Sequence, residues 1–350
     1  WQRGGDTFEL VVEMPVPEQK NDLFDNHEYD SCRYEIAVGS MPESGETAIL
    51  AERVLLLPGV TKPEPEGEQQ SLFPADQTAP DTLAAPRGRG VKTVVHKVPG
   101  SNDKFYDETG TGWDHSFKLG SQRSALANLP EDESRFPIAT WFKRMLADGV
   151  RSVVLNSRQM RQPSAPGQPT VYQPDGSNLP GVIAAIKERD PQQFTRWITL
   201  LQKVLPDLRT IEVVERPEDR HQYLVIHFSP DLRVPSWMVS DGTMKLLALT
   251  LPAFLDDFEG TYLIEEPENG LHPRALESVL SALSATGKGQ VLLTTHSPVV
   301  ISTVSPEQIL CFYKTETGAT EVVPSTENPT LKDWKGDPNL GLLFADAYMT

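Results

Sequence analysis

Cysteine is scarce: Cys32 and Cys311 are the only two in 350 residues, too few for a disulfide framework or a cysteine-built zinc site, and this fits a reducing compartment. Long apolar runs are absent as well. None approaches the ~20 residues that cross a bilayer, so neither a membrane span nor a membrane partner is expected. Positive charge is in deficit, with 32 Lys and Arg against 49 Asp and Glu, a formal net charge of −17. The average surface therefore repels nucleic acid, and DNA contact would need a local basic patch acting against that field. No internal repeat occurs. The opening residues, "WQRGGDTFEL", carry no initiator Met and no signal-like pattern. They read as a strand already under way, which leads us to expect that residues preceding Trp1 are missing; from the cysteine usage, the cytoplasm is the default location.

What is present suits a folded protein of one large or two ordinary domains: 38% hydrophobic residues and a mean hydropathy of −0.36. Asp6 to Met14, Tyr29 to Val38 and Thr47 to Leu57 read as strands of an antiparallel meander. Pro58 to Gly90 contains six prolines and little to bury, as an exposed insertion would. A strand over Val91 to Val98 precedes a helix over Glu133 to Ala147, with Pro137 in its first turns where proline costs least. A further strand then runs into a locally basic loop. Lys143, Arg144, Arg151, Arg158 and Arg161 fall in this region, and a solvated face is the favoured reading over a phosphate-touching patch.

Asp190 followed by Pro191 marks a helix start, with the helix running to about Leu205, and Arg209 to Glu215 with Tyr223 to Phe228 form a hairpin. From there helix (Asp241 to Asp257), strand (Thr261 to Glu265), helix (Pro273 to Ala285), strand (Gln290 to Thr295), helix and strand (Gln308 to Tyr313) alternate. Such alternation predicts an α/β fold whose mainly parallel sheet is flanked by helices. The expected organisation is residues 1–132 with the antiparallel strands, 133–235 as a helical and hairpin insertion, and 236–350 as the C-terminal lobe.

Ligands of open parallel sheets bind beyond the carboxyl ends of the strands. Two predicted strands deliver chemistry to such ends: Glu265 and Glu266 after "TYLI", and His296 in "TTHS". Glu266 and His296 are 30 residues apart, room for one crossover helix, so their strands are neighbours or nearly so. A third feature, "VSDGTMKLLALTL", puts Ser240, Asp241 and Gly242 at the mouth of an apolar helix, where unpaired N–H groups receive anions. Taken singly, each has an ordinary explanation: solvated turn carboxylates, a histidine in a capping context, a plain Ser N-cap.

In order and spacing, "SDGTMKLLAL", "TYLIEEPENGLHP" and "VLLTTHSP" resemble the signature motif, the Walker B motif with D-loop, and the switch histidine of ABC-type ATPases. More narrowly they look like the SMC- and RecF-related bacterial "AAA family ATPase" proteins, whose relatives include the OLD proteins; "DGSNLPGVI" at 175 to 183 is similar to another stretch of that family. The resemblance is dense from Asp175 to Thr303. It implies a P-loop NTPase fold, ATP and Mg²⁺, and a DNA-repair or phage-defence role. Glu265 would then hold the metal, Glu266 would be the general base, and His296 would sense the γ-phosphate. Ser240 and Gly242 would contact nucleotide held by a second protomer, while Asn269 and Gly270 lie in the D-loop that touches that protomer. Many ABC proteins have Asp where this chain has Glu265.

The family's phosphate loop, G-x-x-x-x-G-K-[ST], is not in the chain. Its only Gly-Lys pair, Gly287–Lys288, lacks the flanking residues, and in "RGRGVKT" Val91 separates Gly90 from Lys92. Either that loop precedes Trp1, the favoured reading, or the chain is a degenerate subunit serving a partner's nucleotide. A nuclease is disfavoured because no two aspartates stand two apart, although a separate nuclease or effector partner remains open. A non-catalytic scaffold is the third class.

Overall fold

The computed structural model describes residues 7–21, 29–41, 44–58, 82–84, 90–110, 115–255, 258–287, 289–314, 318 and 320–327. Most of the proline-rich insertion and the opening "WQRGGD" lie outside them. Contacts group the chain into two units, Trp1–Ala147 and Asp148–Thr350.

In the first unit, β1 (Thr7–Pro15), β2 (Ser31–Ser40), β3 (Thr47–Leu57), β4 (Lys92–Lys97), β5 (Asp103–Phe105) and β6 (His115–Phe117) form one sheet in sequence order, every neighbouring pair antiparallel. The expected meander is thus twice as long as the three strands read at its start. A short α1 (Glu18–Asn21) and α2 (Pro137–Asp148) complete the unit. Apolar residues of β2, β3, β4 and β5, including Cys32, Leu56, Val94 and Phe105, are buried against Phe136, Ile138 and Phe142 at the start of α2. Of the carboxylates this unit buries, two are satisfied at helix starts. Glu52 accepts from Ala125 N at 2.7 Å and Leu126 N at 3.0 Å, and Glu108 accepts from Ile138 N at 2.8 Å and Ala139 N at 2.7 Å. In both cases N–H groups that a helix leaves unpaired meet an oxygen that needs donors.

The second unit opens with β7 (Val150–Val153), α3 (Ser157–Met160), α4 (Leu179–Arg189) and α5 (Pro191–Gln202). Asp190 caps α5 as its sequence predicts, accepting from Gln192 N and Gln193 N, both at 3.0 Å. The antiparallel sheet of β8 (Leu208–Glu215), β9 (Gln222–Phe228) and β10 (Leu232–Pro235) follows, and then α6 (Asp241–Thr250). Expected to reach Asp257, α6 stops at Thr250 and tightens into a 3-10 turn over Leu251–Phe254, because Pro252 cannot donate to the preceding turn.

β11 (Thr261–Glu265), α7 (Pro273–Ser284), β12 (Gln290–Thr294) and α8 (Pro298–Thr303) complete the α/β part. β11 lies between β12 and β7, parallel to both. Tyr262 and Ile264 on β11 join Leu247 on α6, Val279 on α7, Trp197 on α5 and Ile226 on β9 in one core. For α6, whose Leu246, Leu247 and Leu249 are all buried, packing decides the structure: each leucine contributes ~2 kcal/mol, against tenths for helix propensity. The strand read over Gln308 to Tyr313 is β13 (Leu310–Lys314), and it is not part of the parallel sheet. It pairs antiparallel with β14 (Thr320–Pro324), a hairpin partner that the alternating reading had passed over.

Candidate functional site

Parallel pairing of β11 with β12 sets Glu265 opposite Thr294, so both strands end at one sheet edge. One further ladder bond, Glu266 N to Thr294 O at 2.9 Å, carries the pairing past the strand end before Pro267 stops it. His296 therefore lies two residues beyond the tip of β12, on the strand adjacent to the acidic pair. Glu265 is exposed, and among the described residues no hydrogen bond or ion pair engages its carboxylate.

Glu266 has φ +44°, in the left-handed region that glutamate rarely enters. Two bonds from the next turn hold it there: Asn269 N donates to Glu266 O at 3.0 Å, and the Asn269 side-chain amide donates to Glu266 Oε2. The His296 loop is fixed to the same turn. Thr295 Oγ1 donates to Glu268 Oε1 at 2.6 Å and accepts from Ser297 N at 3.0 Å. Glu268 Oε2 is buried without a hydrogen-bond partner among the described residues.

Ser240 is exposed and caps α6, its Oγ accepting from Thr243 N at 3.2 Å. Asp241 pairs with Arg161, Nη2 to Oδ1 at 2.7 Å, so what it offers the helix mouth is its backbone N–H. This mouth abuts the Glu266–Gly270 turn. Lys245 Nζ donates to Asn269 O at 2.7 Å, and a Cβ on Gly242 would stand 2.8 Å from Gly270 O, which only glycine permits. Farther along, the Tyr172 hydroxyl donates to Ala248 O at 3.1 Å and Trp197 Nε1 to Thr250 Oγ1 at 2.9 Å, anchoring α6 in the core. Burial pushes the Tyr172 phenol well above its ordinary value, so it stays a donor.

Of the eight residues singled out in the sequence, six fall in two places, the tips of β11 and β12 and the mouth of α6, and the other two, Asn269 and Gly270, lie in the turn that joins them. The sequence reading assigned nothing to Arg161, Lys245, Glu268 or Thr295, although Glu268 stands inside "EEPENG". The basic stretch is engaged locally. Arg144 pairs with Glu133, Lys143 donates to Leu129 O at 3.1 Å, and Arg151 lies over the Phe258 ring, 4.1 Å from its centroid. Among the described residues no group of three or more His, Cys, Asp or Glu could hold a metal ion.

Residues 63–302 match the family model described as "AAA domain, putative AbiEii toxin, Type IV TA system". The chain therefore belongs to this AAA-type ATPase family and has the P-loop NTPase fold, of which the β7–β11–β12 sheet and its helices are part. Solved structures of low identity are also similar. The SmcHead bound to the C-winged helix domain of ScpA matches at 11% identity and TM-score 0.48, over 91% of this chain and 74% of its own. The SMC head domain from Thermotoga maritima matches at 13% and 0.32, over 84% and 74%. A structure titled for ATP-driven dimerization and DNA stimulated activation of SMC ATPases matches at 12% and 0.35, over 48% and 98%. No helix among the described residues is long and apolar enough to cross a membrane.

Proposed function

We propose that this protein binds and hydrolyses ATP at a site shared between two copies, and that the nucleotide-driven pairing is the switch it delivers. The observation that carries this reading is the register of β11 on β12, which sets Glu265 and Glu266 beside the loop bearing His296.

Glu266 serves as general base: it takes a proton from water as the water oxygen attacks the γ-phosphorus and the bond to the ADP oxygen breaks. His296 donates a hydrogen bond to a γ-phosphate oxygen. Ser240 and the backbone N–H groups of Asp241 and Gly242 bind the γ-phosphate of nucleotide on the second copy. Asn269 and Gly270, exposed and in contact with that mouth, extend the same surface toward the second copy.

Glu265 fits as the residue that would hold Mg²⁺, because its carboxylate is a hard oxygen donor, exposed and unengaged among the described residues. Among the described residues no cluster of three or more such ligands stands beside it, so Glu265 would be this chain's own contribution to holding the cation. When bound, it neutralises charge on the phosphates.

The family description names a toxin of a toxin–antitoxin system, which supports a defence role, as in OLD-like ATPases, over DNA repair. In that role a nuclease or other effector reads the paired state. With a net charge of −17 on the chain, DNA reaches the complex through such a partner more readily than through this surface.

Glu266→Gln in the full-length protein tests the reading: ATP should produce a lasting dimer on light scattering, with phosphate release cut at least ~100-fold. Undiminished release would remove Glu266 from the mechanism. The absence of G-x-x-x-x-G-K-[ST] from these 350 residues favours one second reading, a non-hydrolysing subunit that lends Ser240 to a partner's nucleotide. ATP titration of this chain beside a version extended upstream separates the two, since added residues give a degenerate subunit no affinity.

A further inference from the structure

Arg161 is the one cation that touches the α6 mouth, among the described residues, on both sides of Ser240. Its Nη2 donates to Val239 O at 2.6 Å and meets Asp241 Oδ1 at 2.7 Å, so the residue before Ser240 and the residue after it share one guanidinium. From its own backbone, Arg161 O accepts from Ser236 Oγ at 3.1 Å, fixing the start of the same loop.

The residue is mounted rigidly. Five residues upstream, Asn156 caps α3 by accepting from Arg158 N and Gln159 N at 3.1 Å, and Asn156 N itself donates to Asp175 O at 3.0 Å. Three residues downstream, Ser164 bridges Gln222 at the start of β9, with bonds of 2.8 and 3.0 Å. Met160, beside it, is fully buried. This mount follows directly from β7, which pairs with the strand that carries Glu265 and Glu266.

We propose that Arg161 is a positioning residue that holds the Ser240 mouth in shape and cancels the charge of Asp241, so that the mouth can accept a triphosphate. The inference rests on the function proposed above. Its chemistry is electrostatic as well as geometric. A carboxylate in the first turn of α6 favours the free helix but repels an arriving anion, and a cation at 2.7 Å removes that repulsion. Lysine on the same mount would keep the charge but carry it on a flexible stem, without the rigid planar group that holds Nη2 between Val239 O and Asp241.

The test is ATP-driven dimerisation of the full-length protein in the Glu266→Gln background, followed by light scattering, with melting temperature measured in parallel. Arg161→Ala should raise the half-saturating ATP about tenfold while the melting temperature stays within a few degrees. Arg161→Ala with Asp241→Asn should recover most of that loss, because no uncompensated carboxylate is left. Arg161→Lys should fall between. A lasting dimer that Arg161→Ala does not weaken overturns the inference alone. So does a loss that Asp241→Asn fails to recover, since a merely structural role does not depend on the charge of Asp241. Absence of a dimer in the Arg161-containing parent overturns the function on which the inference rests.

Discussion

Asn269 binds Glu266 twice, through its backbone N–H to the Glu266 carbonyl at 3.0 Å and through its side-chain amide to the Glu266 carboxylate. Asn269 in turn is gripped by Lys245, whose Nζ donates to its carbonyl at 2.7 Å. The carboxylate proposed as base is therefore oriented by the turn that follows it, and that turn is held by the helix whose mouth is proposed to read the other copy's phosphate. Pairing of two copies at the α6 mouth would reach Glu266 through two residues, Lys245 and Asn269.

Asn269→Ala tests that orientation. It removes the amide donor but leaves the backbone bond and the Lys245 contact, so the turn should persist. We expect kcat for ATP to fall about tenfold with KM unchanged, since the carboxylate remains but is no longer aimed. Steady-state phosphate release decides it, and a rise in KM at constant kcat would instead make Asn269 a nucleotide contact.

The backbone at Glu266 gives a second prediction. A glutamate at φ +44° carries strain of roughly 1–3 kcal/mol, whereas Asn enters the left-handed region readily. Glu266→Asn should therefore gain about 1 kcal/mol of stability net of the lost side-chain hydrogen bond, and abolish hydrolysis. Glu266→Gln shares the catalytic loss without the backbone relief. Denaturant midpoints of the two variants should differ accordingly, and equal midpoints would show that the turn carries no strain.

Much of this site is written locally. β11 and β12 announce themselves as short apolar runs stopped by Pro267 and by Ser297–Pro298, and α6 by its Ser cap, so their residues could be numbered from the sequence. The parallel neighbour relation was legible only as a spacing that admits one crossover helix. That β7 is the other neighbour of β11 was not legible, because β7 precedes β11 by more than a hundred residues and nothing in "VRSV" names its partner. The same holds for Arg161 and Asp241, which meet across the fold, and for Glu52 and Glu108, to which the sequence reading assigned nothing and which are buried as helix caps. The positive φ of Glu266 contradicts its local preference; its N–H bond to Thr294 O across the sheet and the bonds it accepts from Asn269 in the next turn impose it. Helix α6 failed in the other direction, since its apolar pattern continues beyond Pro252 while the backbone hydrogen bonds cannot.

Glu108 yields a prediction in pH. It is buried beneath the start of α2, and burial pushes its carboxyl up to about 7, against the bonds from Ile138 and Ala139 N–H, which favour the ionised form. In the unfolded chain the same group has its ordinary value of 4.5. Between these two values the folded state keeps a proton that the unfolded state has released, so stability falls as pH rises through the window, by on the order of 3 kcal/mol. Below about 4.5 both states are protonated and above about 7 both are ionised, and in neither range does Glu108 add a slope. Asp107, next to it, works the other way: although its own burial opposes ionisation, hydrogen bonds from Arg135 and Thr109 bring its carboxyl below the usual range, so its contribution is lost only at lower pH. The two carboxylates can therefore be separated by pH. Glu108→Gln cannot ionise, so its melting temperature should match the wild type near pH 4.5, exceed it by a growing margin up to about pH 7, and by a constant margin above that. Melting curves of both proteins across pH 4 to 8 decide the matter: parallel profiles would mean that Glu108 is already charged in the folded state and that the α2 amides, not burial, set its ionisation.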